Sequence, residues 1–305
     1  MNPQHCIKVI VNPASCGGST NRKWVDISKA LTTAGLRFEH EFTQSKGHAT
    51  ELTREAIRNG YNLVVAVGGD GTLNEVANGI LGSGMAGEVA MGIIDSGTGS
   101  GFAYSISIPR DYHQACLRLA NPRKTWIDVG IAEYYNEGQQ AKRYFIDAAS
   151  LGFDGQVVKT VGESLKLFRG TTPHLLAILH SWFVYQNKEI HLKIDDAEED
   201  IRICSLVIAN GKFLNKWMPV APEGNFNDGL LEVIVVGDID KFELVQTLPR
   251  LYGGRDIEHP KIKMYKAKEL TVHSDEQILV QAGGELLGEG PATFRVLPAA
   301  LSVIV

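Results

Sequence analysis

Short apolar segments alternate with helical periodicity along the first third of the chain. Four segments predict strands: Ile7–Val11, Phe38–Phe42, Val64–Val67 and Met91–Ile94. Between them, Trp24, Ile27 and Leu31 recur at helical spacing before a stop at Gly35, and a second helix is expected from about Thr50 to Asn59. Strands that alternate with helices form right-handed βαβ units, so the pattern predicts a parallel α/β sheet.

The pattern changes after Pro109. A helix is expected over Tyr112–Ala120, and strand-like segments then dominate, as in a β-sandwich. These segments are Trp126–Ala132, Arg143–Ala149, Ile190–Ile194, Ile201–Ala209, Leu230–Val236, Ile262–Tyr265, Glu269–His273 and Ile278–Ala282. Helical interludes are expected at Thr172–Gln186 and Phe242–Leu251, and the acidic run at residues 195–200 predicts a hairpin tip. We therefore expect an α/β domain over residues 1–124 and a β domain over residues 125–293, with residues 294–305 returning to the first domain.

The stretch Val64–Ile80, VVAVGGDGTLNEVANGI, combines a strand, a glycine turn and the start of a helix. Val64–Val67 is short and β-branched, as expected of a strand covered on both faces. Thr72 is predicted to cap the following helix, with Glu75 in capping-box spacing. A glycine turn at a helix N-terminus presents backbone N–H groups to a phosphate. The alternative is an ordinary tight turn with Asp70 as a solvated residue.

Three further loops leave predicted strands at the same sheet edge. They follow Val11, Phe42 and Ile94, and each is rich in turn-forming residues. The glycines at 97, 99 and 101 do not have the dinucleotide-binding spacing, and no Walker-type P-loop motif occurs in the sequence. The four loops together predict a nucleotide site made mostly of backbone groups.

Composition excludes several classes of protein. The chain has 305 residues, 44% of them hydrophobic and 21% charged, which is ordinary for a globular protein. A net charge of -5 gives no general reason to expect nucleic acid as a partner. Cys6, Cys16, Cys116 and Cys204 have no metal-like spacing and are expected to be reduced thiols. With no signal-like N-terminus and no apolar stretch of spanning length, we expect a cytoplasmic protein.

These segments occur in an ordered series that resembles the diacylglycerol kinase catalytic-domain superfamily, particularly its soluble bacterial lipid kinases, to which sphingosine and ceramide kinases are related. The series spans residues 7–305: Asn12-Pro13 with Gly17-Gly18, Gly68 to Glu75, Ser96-Gly97-Thr98, Phe102-Ala103, Gly152-Phe153-Asp154, Asn210-Gly211, Ala221-Pro222, Asn227 to Val233, and Gly284-Glu285. The resemblance implies a Rossmann-like N-terminal domain similar to those of NAD kinases and phosphofructokinases. It also implies a C-terminal β-sandwich and an ATP site between the two.

The resemblance implies roles for individual residues. Nucleotide-binding residues by position are Asn12, Pro13, Gly17, Gly18, Thr43, Gly68, Gly69, Asp70, Gly71, Thr72, Glu75, Gly97 and Thr98. Asp70 and Glu285 would be catalytic, with Asp70 holding Mg²⁺ or accepting the proton of the substrate hydroxyl. Asp228, with carbonyl groups near Asn225 and Leu230, would form a structural Mg²⁺ site, for which a plain Asn-Asp-Gly turn is the alternative.

The chain departs from the family pattern at three places. Ser100-Gly101 replaces an Asn-Asp pair, Gly283 replaces an acid proposed as a general base, and Lys216-Trp217-Met218 replaces a glycine triplet. Asp95 or Asp154, as a compensating acid, would then take over the role of the family's acids that are missing from this chain. Otherwise the enzyme uses Asp70 alone, acts on another acceptor, or binds ATP without transferring phosphate.

We therefore expect an ATP- and Mg²⁺-dependent lipid kinase that phosphorylates a diacylglycerol-like lipid and serves lipid metabolism. The alternatives are a nucleotide-binding regulatory protein without catalysis and a kinase of a soluble acceptor such as NAD. The expected partners are ATP, a lipid, a membrane surface contacted transiently and a second copy of the chain, with no nucleic acid. Two segments mix apolar and basic residues as membrane contacts do, Leu165–Arg169 and Lys212–Met218, although each is equally explained as a wall of the cleft.

Overall fold

A computed structural model describes residues 7–164, 181–215, 218–219, 221, 224–240, 242–243 and 259–305. The helices are α1 (Ser15–Thr33), α2 (His48–Arg58), α3 (Asp70–Leu81), α4 (Gly101–Ser105), α5 (Tyr112–Ala120) and α6 (Phe153–Ser164). The first strands are β1 (Ile7–Val11), β2 (Phe38–Phe42), β3 (Leu63–Gly68), β4 (Ala90–Asp95), β5 (Lys124–Asn136), β6 (Gln139–Phe145), β7 (Ala148–Gly152) and β8 (Lys188–Ile194). They are followed by β9 (Ala197–Ala209), β10 (Phe213–Asn215), β11 (Met218–Pro219), β12 (Leu231–Gly237), β13 (Ile262–Ala267), β14 (Glu269–His273), β15 (Leu279–Ala282) and β16 (Glu285–Ile304).

The first four strands form a parallel sheet in the order β2-β1-β3-β4. Every residue of β3 and β4 is buried, as the apolar run Val64–Val67 predicted. Val64 and Ala66 pack with α2 and α3 on one face, whereas Val65 and Val67 pack with α1 and α5 on the other. Helices thus cover both faces, which leaves the carboxyl edge of the sheet as the place where loops can form a site.

The second half of the chain forms an antiparallel sheet that curls back on itself. Its strand pairs run from β9 through β7, β15, β16, β14 and β8, and β8 returns to β9. The inner faces of these strands share one core, in which Phe145, Leu206 and Phe294 are fully buried. An inner core enclosed by curled antiparallel strands agrees with the sandwich predicted for this half.

Strand β16 joins the two halves. It pairs antiparallel with β5, β14 and β15 over most of its length, and Ser302 and Val303 then pair parallel with Ala90 and Met91 of β4. Leu301 and Val303 are fully buried in the core beneath α2 and α3. The last residues of the chain therefore form the strand next to β4 in the N-terminal sheet, while the domain boundary near residue 124 stays a prediction.

The structure differs from the predicted elements at one important place. Arg143–Ala149 is not one strand, because β6 ends at Phe145 and β7 begins at Ala148. Between them the N–H of Ile146 donates to the side chain of Asn74, and the carbonyl of Asp147 accepts from the N–H of Asn210. These bonds replace ladder bonds while the chain changes from pairing with β5 to pairing with β9.

Several smaller predictions can be compared with the described residues. The acidic run does lie at a hairpin, with its tip at Asp195-Asp196 between β8 and β9, whereas helix α6 was not predicted. Leu165–Arg169, His174, His180, Lys216, Trp217, Cys6 and most of the two helical interludes lie outside the described residues. Within the described part, Cys16, Cys116 and Cys204 are free thiols. Across that same part, no helix has both the length and the apolar character needed to cross a membrane.

Candidate active site

The loops after β1, β2, β3 and β4 meet at the carboxyl edge of the N-terminal sheet. They enclose a cavity of about 570 Å³, a usual size for a small-molecule site. Most of the predicted nucleotide-binding residues line it: Asn12, Pro13, Thr43, Gly69, Asp70, Gly71, Thr72, Glu75, Gly97 and Thr98. The structure thus brings these residues together in one cavity.

Two glycines let the β3–α3 turn pack closely. A Cβ atom on Gly68 would lie 2.5 Å from the side chain of Thr72, so Gly68 supports the turn without lining the cavity. A Cβ atom on Gly69 would lie 3.0 Å from the Cα atom of Gly97 in the neighbouring loop. The backbone at the start of α3 is therefore left uncovered by side chains, as phosphate binding at a helix N-terminus requires.

The predicted helix cap at Thr72 is wrong. Helix α3 begins two residues earlier, at Asp70, and has no side-chain cap. The hydroxyl of Thr72 instead accepts a hydrogen bond of 2.9 Å from Nδ2 of Asn12. This bond joins the loop after β1 to the first turn of α3, so two predicted nucleotide-binding residues hold each other in place.

Gly17 and Gly18 are close in sequence to Asn12, which lines the cavity, but they do not line it themselves. Both have positive φ, at 61° and 83°, within the first turns of α1. Residues with a side chain adopt such angles rarely, so the glycines let the chain bend between Ser15 and the regular part of α1. Their role is to shape the loop that carries Asn12.

Asp70 is the acidic residue at the N-terminus of α3. Its Oδ2 accepts a hydrogen bond of 3.1 Å from the N–H of Gly101, and its Oδ1 accepts one of 3.3 Å from the N–H of Phe102. Burial raises the pKa of Asp70 above the ordinary carboxyl value, and these two N–H groups oppose the rise. The carboxylate is fixed in orientation and keeps lone pairs for a ligand in the cavity.

Glu75 does not form the predicted capping box within its own helix. Its Oε1 accepts from the N–H of Gly47 at 2.9 Å, and its Oε2 accepts from the N–H of Ala49 at 3.1 Å. These N–H groups belong to the start of α2, so Glu75 caps a neighbouring helix. It thereby fixes the loop from Thr43 to Gly47, which forms one wall of the cavity.

The Gly97 loop is held by charged side chains. The N–H of Gly97 donates to Oδ1 of Asp95 at 2.9 Å, and its carbonyl accepts from Nη2 of Arg110 at 3.3 Å. Asp95, one of the two predicted compensating acids, is thus occupied in shaping the loop beside Thr98. At the family's Asn-Asp position, Gly101 supplies the N–H that bonds Asp70, so this departure leaves Asp70 oriented by backbone.

Glu285, predicted to be catalytic, is not among the residues that line the cavity and instead lies between two cationic side chains. Its Oε2 is 3.0 Å from Nη2 of Arg143, and its Oε1 is 3.6 Å from Nζ of Lys46. Lys46 lines the cavity, although the sequence offered no motif that marked it. Glu285 therefore joins the β hairpin of the second half to the loop after β2.

Gly283 and Gly284 form the tip of the β15–β16 hairpin. Ala282 pairs with Glu285, and both glycines have positive φ, at 57° and 75°. A two-residue loop with positive φ at both positions is the common type I′ hairpin turn, for which Gly-Gly is suited. The departure at Gly283 thus has a local explanation in the turn.

The predicted Mg²⁺ site at Asn225, Asp228 and Leu230 is a turn before β12. Oδ1 of Asp228 accepts from the N–H of Leu230 at 3.1 Å, and its Oδ2 is 3.9 Å from Nζ of Lys266. Across the described residues no group of three or more His, Cys, Asp or Glu side chains is suited to a metal. The carboxylate of Asp228 accepts one backbone N–H and lies near one ammonium group, and the Mg²⁺ site stays a prediction.

Asp147 is the site residue that the sequence did not reveal. It follows β6 at the break before β7, and its Oδ1 is buried without a hydrogen-bond partner among the described residues. Burial raises the pKa of Asp147 to about 7, and the nearby charge of Asp70 adds to the rise. Its only signal in the sequence is an acid within an apolar run, since the groups around it come from distant segments.

Asp154, the other predicted compensating acid, is placed differently. It lies in the first turn of α6, and its Oδ2 accepts a hydrogen bond from the hydroxyl of Ser205. Burial raises the pKa of Asp154 as well. Asp154 shares a second, smaller cavity with Asp147, next to the hairpin tip at Gly283 and Gly284.

Comparison with protein families matches both halves of the chain. The diacylglycerol kinase catalytic domain matches residues 6–132, and the YegS C-terminal NAD kinase beta sandwich-like domain matches residues 147–305. The two-domain architecture expected from the sequence is therefore confirmed at this level.

Relatives and solved structures agree with these matches. The chain is 28% identical over 300 residues to a diacylglycerol kinase of Staphylococcus haemolyticus, covering 98% of this chain and 87% of the relative. It is 26% identical to that of Staphylococcus carnosus over 97% of this chain and 94% of the relative. A crystal structure of a putative diacylglycerol kinase from Bacillus anthracis superposes with a TM-score of 0.75 at 20% identity, covering 100% of this chain and 98% of the other, which shows a shared fold. The chain belongs to the diacylglycerol kinase family of enzymes, with the catalytic domain in its first half and the sandwich-like domain in its second.

Proposed function

We propose that this enzyme is an ATP- and Mg²⁺-dependent lipid kinase that transfers the γ-phosphoryl group of ATP to a hydroxyl of a diacylglycerol-like lipid. The observation that carries the proposal is the position of Asp70. It stands at the N-terminus of α3, lines the 570 Å³ cavity and is held in orientation by two backbone N–H groups. The family matches and the names of the relatives support the choice of reaction.

The phosphates of ATP would lie over the Gly69–Thr72 turn. There the backbone N–H groups and the positive end of α3 favour negative charge, and Lys46 adds a cation on the opposite wall. Asn12 and Glu75 hold the flanking loops in position through the bonds described above. Phosphoryl transfer depends on such positioning and charge neutralisation, which a cavity of mostly backbone groups can supply.

Asp70 fits a role beside Mg²⁺. A bound Mg²⁺ would neutralise charge on the phosphates during transfer. Its preferred ligands are oxygens with retained water, and the Asp70 carboxylate offers such oxygens at the phosphate end of the cavity. We infer that Asp70 would be a residue that holds the ion at this end of the cavity.

A lipid acceptor requires the enzyme to meet a membrane or micelle surface. The part of the chain described by the structure does not include the segment Leu165–Arg169, which the sequence suggested as a surface contact. The proposal therefore rests on the nucleotide side of the site and on the family. Transient contact of the enzyme with the membrane is part of the proposal.

The test is transfer of labelled γ-phosphate from ATP to dioleoylglycerol, ceramide and NAD, with the lipids in detergent micelles and Mg²⁺ present. We expect a labelled lipid with the wild type and a loss of about 10²- to 10³-fold with Asp70→Asn, which removes the charge but keeps the shape. Asp275→Asn, the same change at an exposed turn, serves as the control and should keep full activity.

Two results would contradict the proposal. Label appearing in NAD without lipid or detergent would make the enzyme a kinase of a soluble acceptor. ATP binding with no labelled product from any acceptor would leave a nucleotide-binding protein without phosphoryl transfer.

A further inference from the structure

A second cavity lies on the side of Asp70 that faces the β domain. Its volume is about 240 Å³, and it is bounded by β7, α6 and the tip of the β15–β16 hairpin. The wall consists of apolar and neutral residues apart from two acids, and its lining includes Asp147, Asp154, Val157, Val207, Gln281 and Gly283. Two buried acids in a largely apolar cavity need a physical explanation.

One carboxylate oxygen of Asp147 lacks a hydrogen-bond partner among the described residues. This atom, Oδ1, is buried, although the residue as a whole is half-buried because it faces the cavity. Buried polar atoms nearly always have a partner, and one that has none commonly serves a ligand or a reaction. The carboxyl group of Asp147 thus lines the cavity while one of its oxygens is buried and lacks a partner for its charged form.

The other acidic side chains near this cavity already have hydrogen-bond or ion-pair partners. Oδ2 of Asp154 accepts from the hydroxyl of Ser205, and Glu285 is paired with Arg143 and Lys46. Gly283, which borders the same cavity, has no side chain to contribute. Among the described acids that line this cavity, Asp147 is the one with an unengaged oxygen.

Hydrogen bonds fix Asp147 relative to the catalytic helix. Oδ1 of Asn74, in the first turns of α3, accepts from the N–H of Ile146 at 3.2 Å. One turn later the side chain of Asn78 exchanges two bonds with the backbone of Tyr144, at 2.8 and 3.0 Å. The segment that leads into Asp147 is thus tied to the helix that begins at Asp70, and the two carboxylates are close enough for the charge of one to act on the other.

We propose that Asp147 accepts the proton of the acceptor hydroxyl during phosphoryl transfer. The proposal rests on the proposed lipid kinase function. The hydroxyl oxygen forms a bond to the γ-phosphorus, the bond from that phosphorus to the bridging oxygen of ATP breaks, ADP leaves with the electron pair, and the proton passes to the carboxylate of Asp147. Asp70 and Asp147 then divide the work, with one at the phosphates and the other at the acceptor.

The surroundings of Asp147 suit a proton acceptor. Burial and the charge of Asp70 raise the pKa of Asp147 to about 7, and a base is most effective when its pKa lies near the working pH. Asp154 from α6 lines the same cavity, and the charge of Asp70 at the start of α3 acts on Asp147. The negative charge of Asp70 favours the protonated form of Asp147.

The experiment compares Asp147→Asn and Asp147→Ala with the wild type on dioleoylglycerol micelles. We expect kcat to fall by about 10²- to 10⁴-fold in both variants, with ATP-analogue binding retained and no loss of thermal stability in Asp147→Asn. The 240 Å³ cavity has room for a small carboxylate in place of the missing side chain, so added formate should restore part of the activity of Asp147→Ala but not of Asp147→Asn. Asp275→Asn is the control for the change of charge.

The outcomes separate this inference from the proposed function. A wild type that phosphorylates lipid beside an Asp147→Asn variant within about threefold of it would overturn the inference alone, since base catalysis contributes far more. Loss of ATP-analogue binding in both variants would make Asp147 a structural residue and overturn it too. A wild type inactive on every acceptor would remove the proposed function itself.

Discussion

Asp70, Asp147 and Glu285 are three carboxylates in one corner of the enzyme, and their partners differ. Asp70 accepts two backbone N–H groups, and Glu285 has two cationic neighbours. Asp147 has a buried oxygen with no partner in the described part of the chain. Burial, more than the charge of Asp70, raises the pKa of Asp147 to about 7, and backbone N–H groups oppose the rise.

We expect Asp147→Asn to be more stable than the wild type at alkaline pH. The folded-state pKa of about 7 lies above the ordinary carboxyl value, so the folded chain keeps a proton that the unfolded chain has lost. The contribution of Asp147 to stability is therefore present below about pH 4 and is lost as the pH rises through 7, a change on the order of 2 to 4 kcal/mol. Asn carries no charge at any of these pH values, so the variant avoids the loss.

Thermal unfolding of both proteins at about pH 5 and about pH 8 measures this effect. The advantage of the variant should be larger at the higher pH. An equal difference at the two pH values would show that Asp147 ionises in the folded chain as an ordinary carboxyl does.

At the scale of elements, the cavity depends on helix ends that are fixed by residues of other helices. Glu75 on α3 accepts the N–H groups of Gly47 and Ala49 at the start of α2. The side chain of Asn12 reaches from the loop after β1 to Thr72. The loops of the cavity are therefore positioned by α3, and damage to one cap would displace a wall of the site.

We expect Glu75→Ala to lower the free energy of unfolding by about 1 to 3 kcal/mol and to weaken ATP binding. The variant leaves two N–H groups of α2 without their acceptor and frees the loop from Thr43 to Gly47. Glu51→Ala is the matched control, because Glu51 is an exposed acid in the first turn of α2, the helix whose start Glu75 caps. This substitution should lower the free energy of unfolding by no more than about 0.5 kcal/mol.

Denaturant titration and ATP-analogue binding check this prediction. Equal losses of stability for Glu75→Ala and Glu51→Ala would mean that charge near α2, and not the two hydrogen bonds of Glu75, supports the loop.

The cavity at the carboxyl edge of the N-terminal sheet could be predicted because its signals are local. The run Val64–Val67 and the glycines after it identify a strand and a turn, and the rule that sites form at the carboxyl edge then brings Asn12, Thr43 and Gly97 to the same place. The error at Thr72 arose because Thr and Glu at capping-box spacing also fit a helix that starts three residues earlier than a cap at Thr72 would give. In that helix both side chains point to other elements.

The acceptor side could not be predicted in the same way. Asp147 gains its importance from Asn74, Gly283 and Asp70, which are distant in sequence and meet only when the two halves are assembled. The sequence alone showed an acid in a segment expected to be one strand. The break between β6 and β7, where the chain changes strand partners, has no local composition that distinguishes it.

At the scale of the whole molecule, β16 makes the two halves one folding unit. It borders β5, β14 and β15 of the antiparallel sheet and then forms the parallel neighbour of β4. Leu301, near its end, is fully buried in the core beneath α2 and α3. The stability of the nucleotide-binding half therefore depends on residues that follow the whole β domain in sequence.

We expect Leu301→Ala to lower the free energy of unfolding by about 2 to 5 kcal/mol, the usual cost of such a cavity in a core. ATP-analogue binding and the β-domain signal should be lost in a single transition. Leu286→Ala is the control, since Leu286 is 38% exposed on the same strand and should change stability little.

Calorimetry measures the unfolding of the protein, and a fluorescent ATP analogue measures the loss of nucleotide binding over the same temperature range. Two separate transitions, with nucleotide binding lost first, would show that the halves unfold independently in spite of their shared strand.

The position of β16 also affects how the protein is made. The N-terminal sheet is synthesised first, yet the strand that borders β4 is added only when residues 301–304 have left the ribosome. At the usual rates of translation, the intervening residues, about 200 in number, take on the order of 10 to 40 s. Throughout that time the nascent chain exposes the edge of a parallel strand that is fully buried in the finished protein, a surface on which neighbouring chains can pair. A chaperone that shields this edge during synthesis would therefore raise the yield of active enzyme more than one that acts on the finished chain.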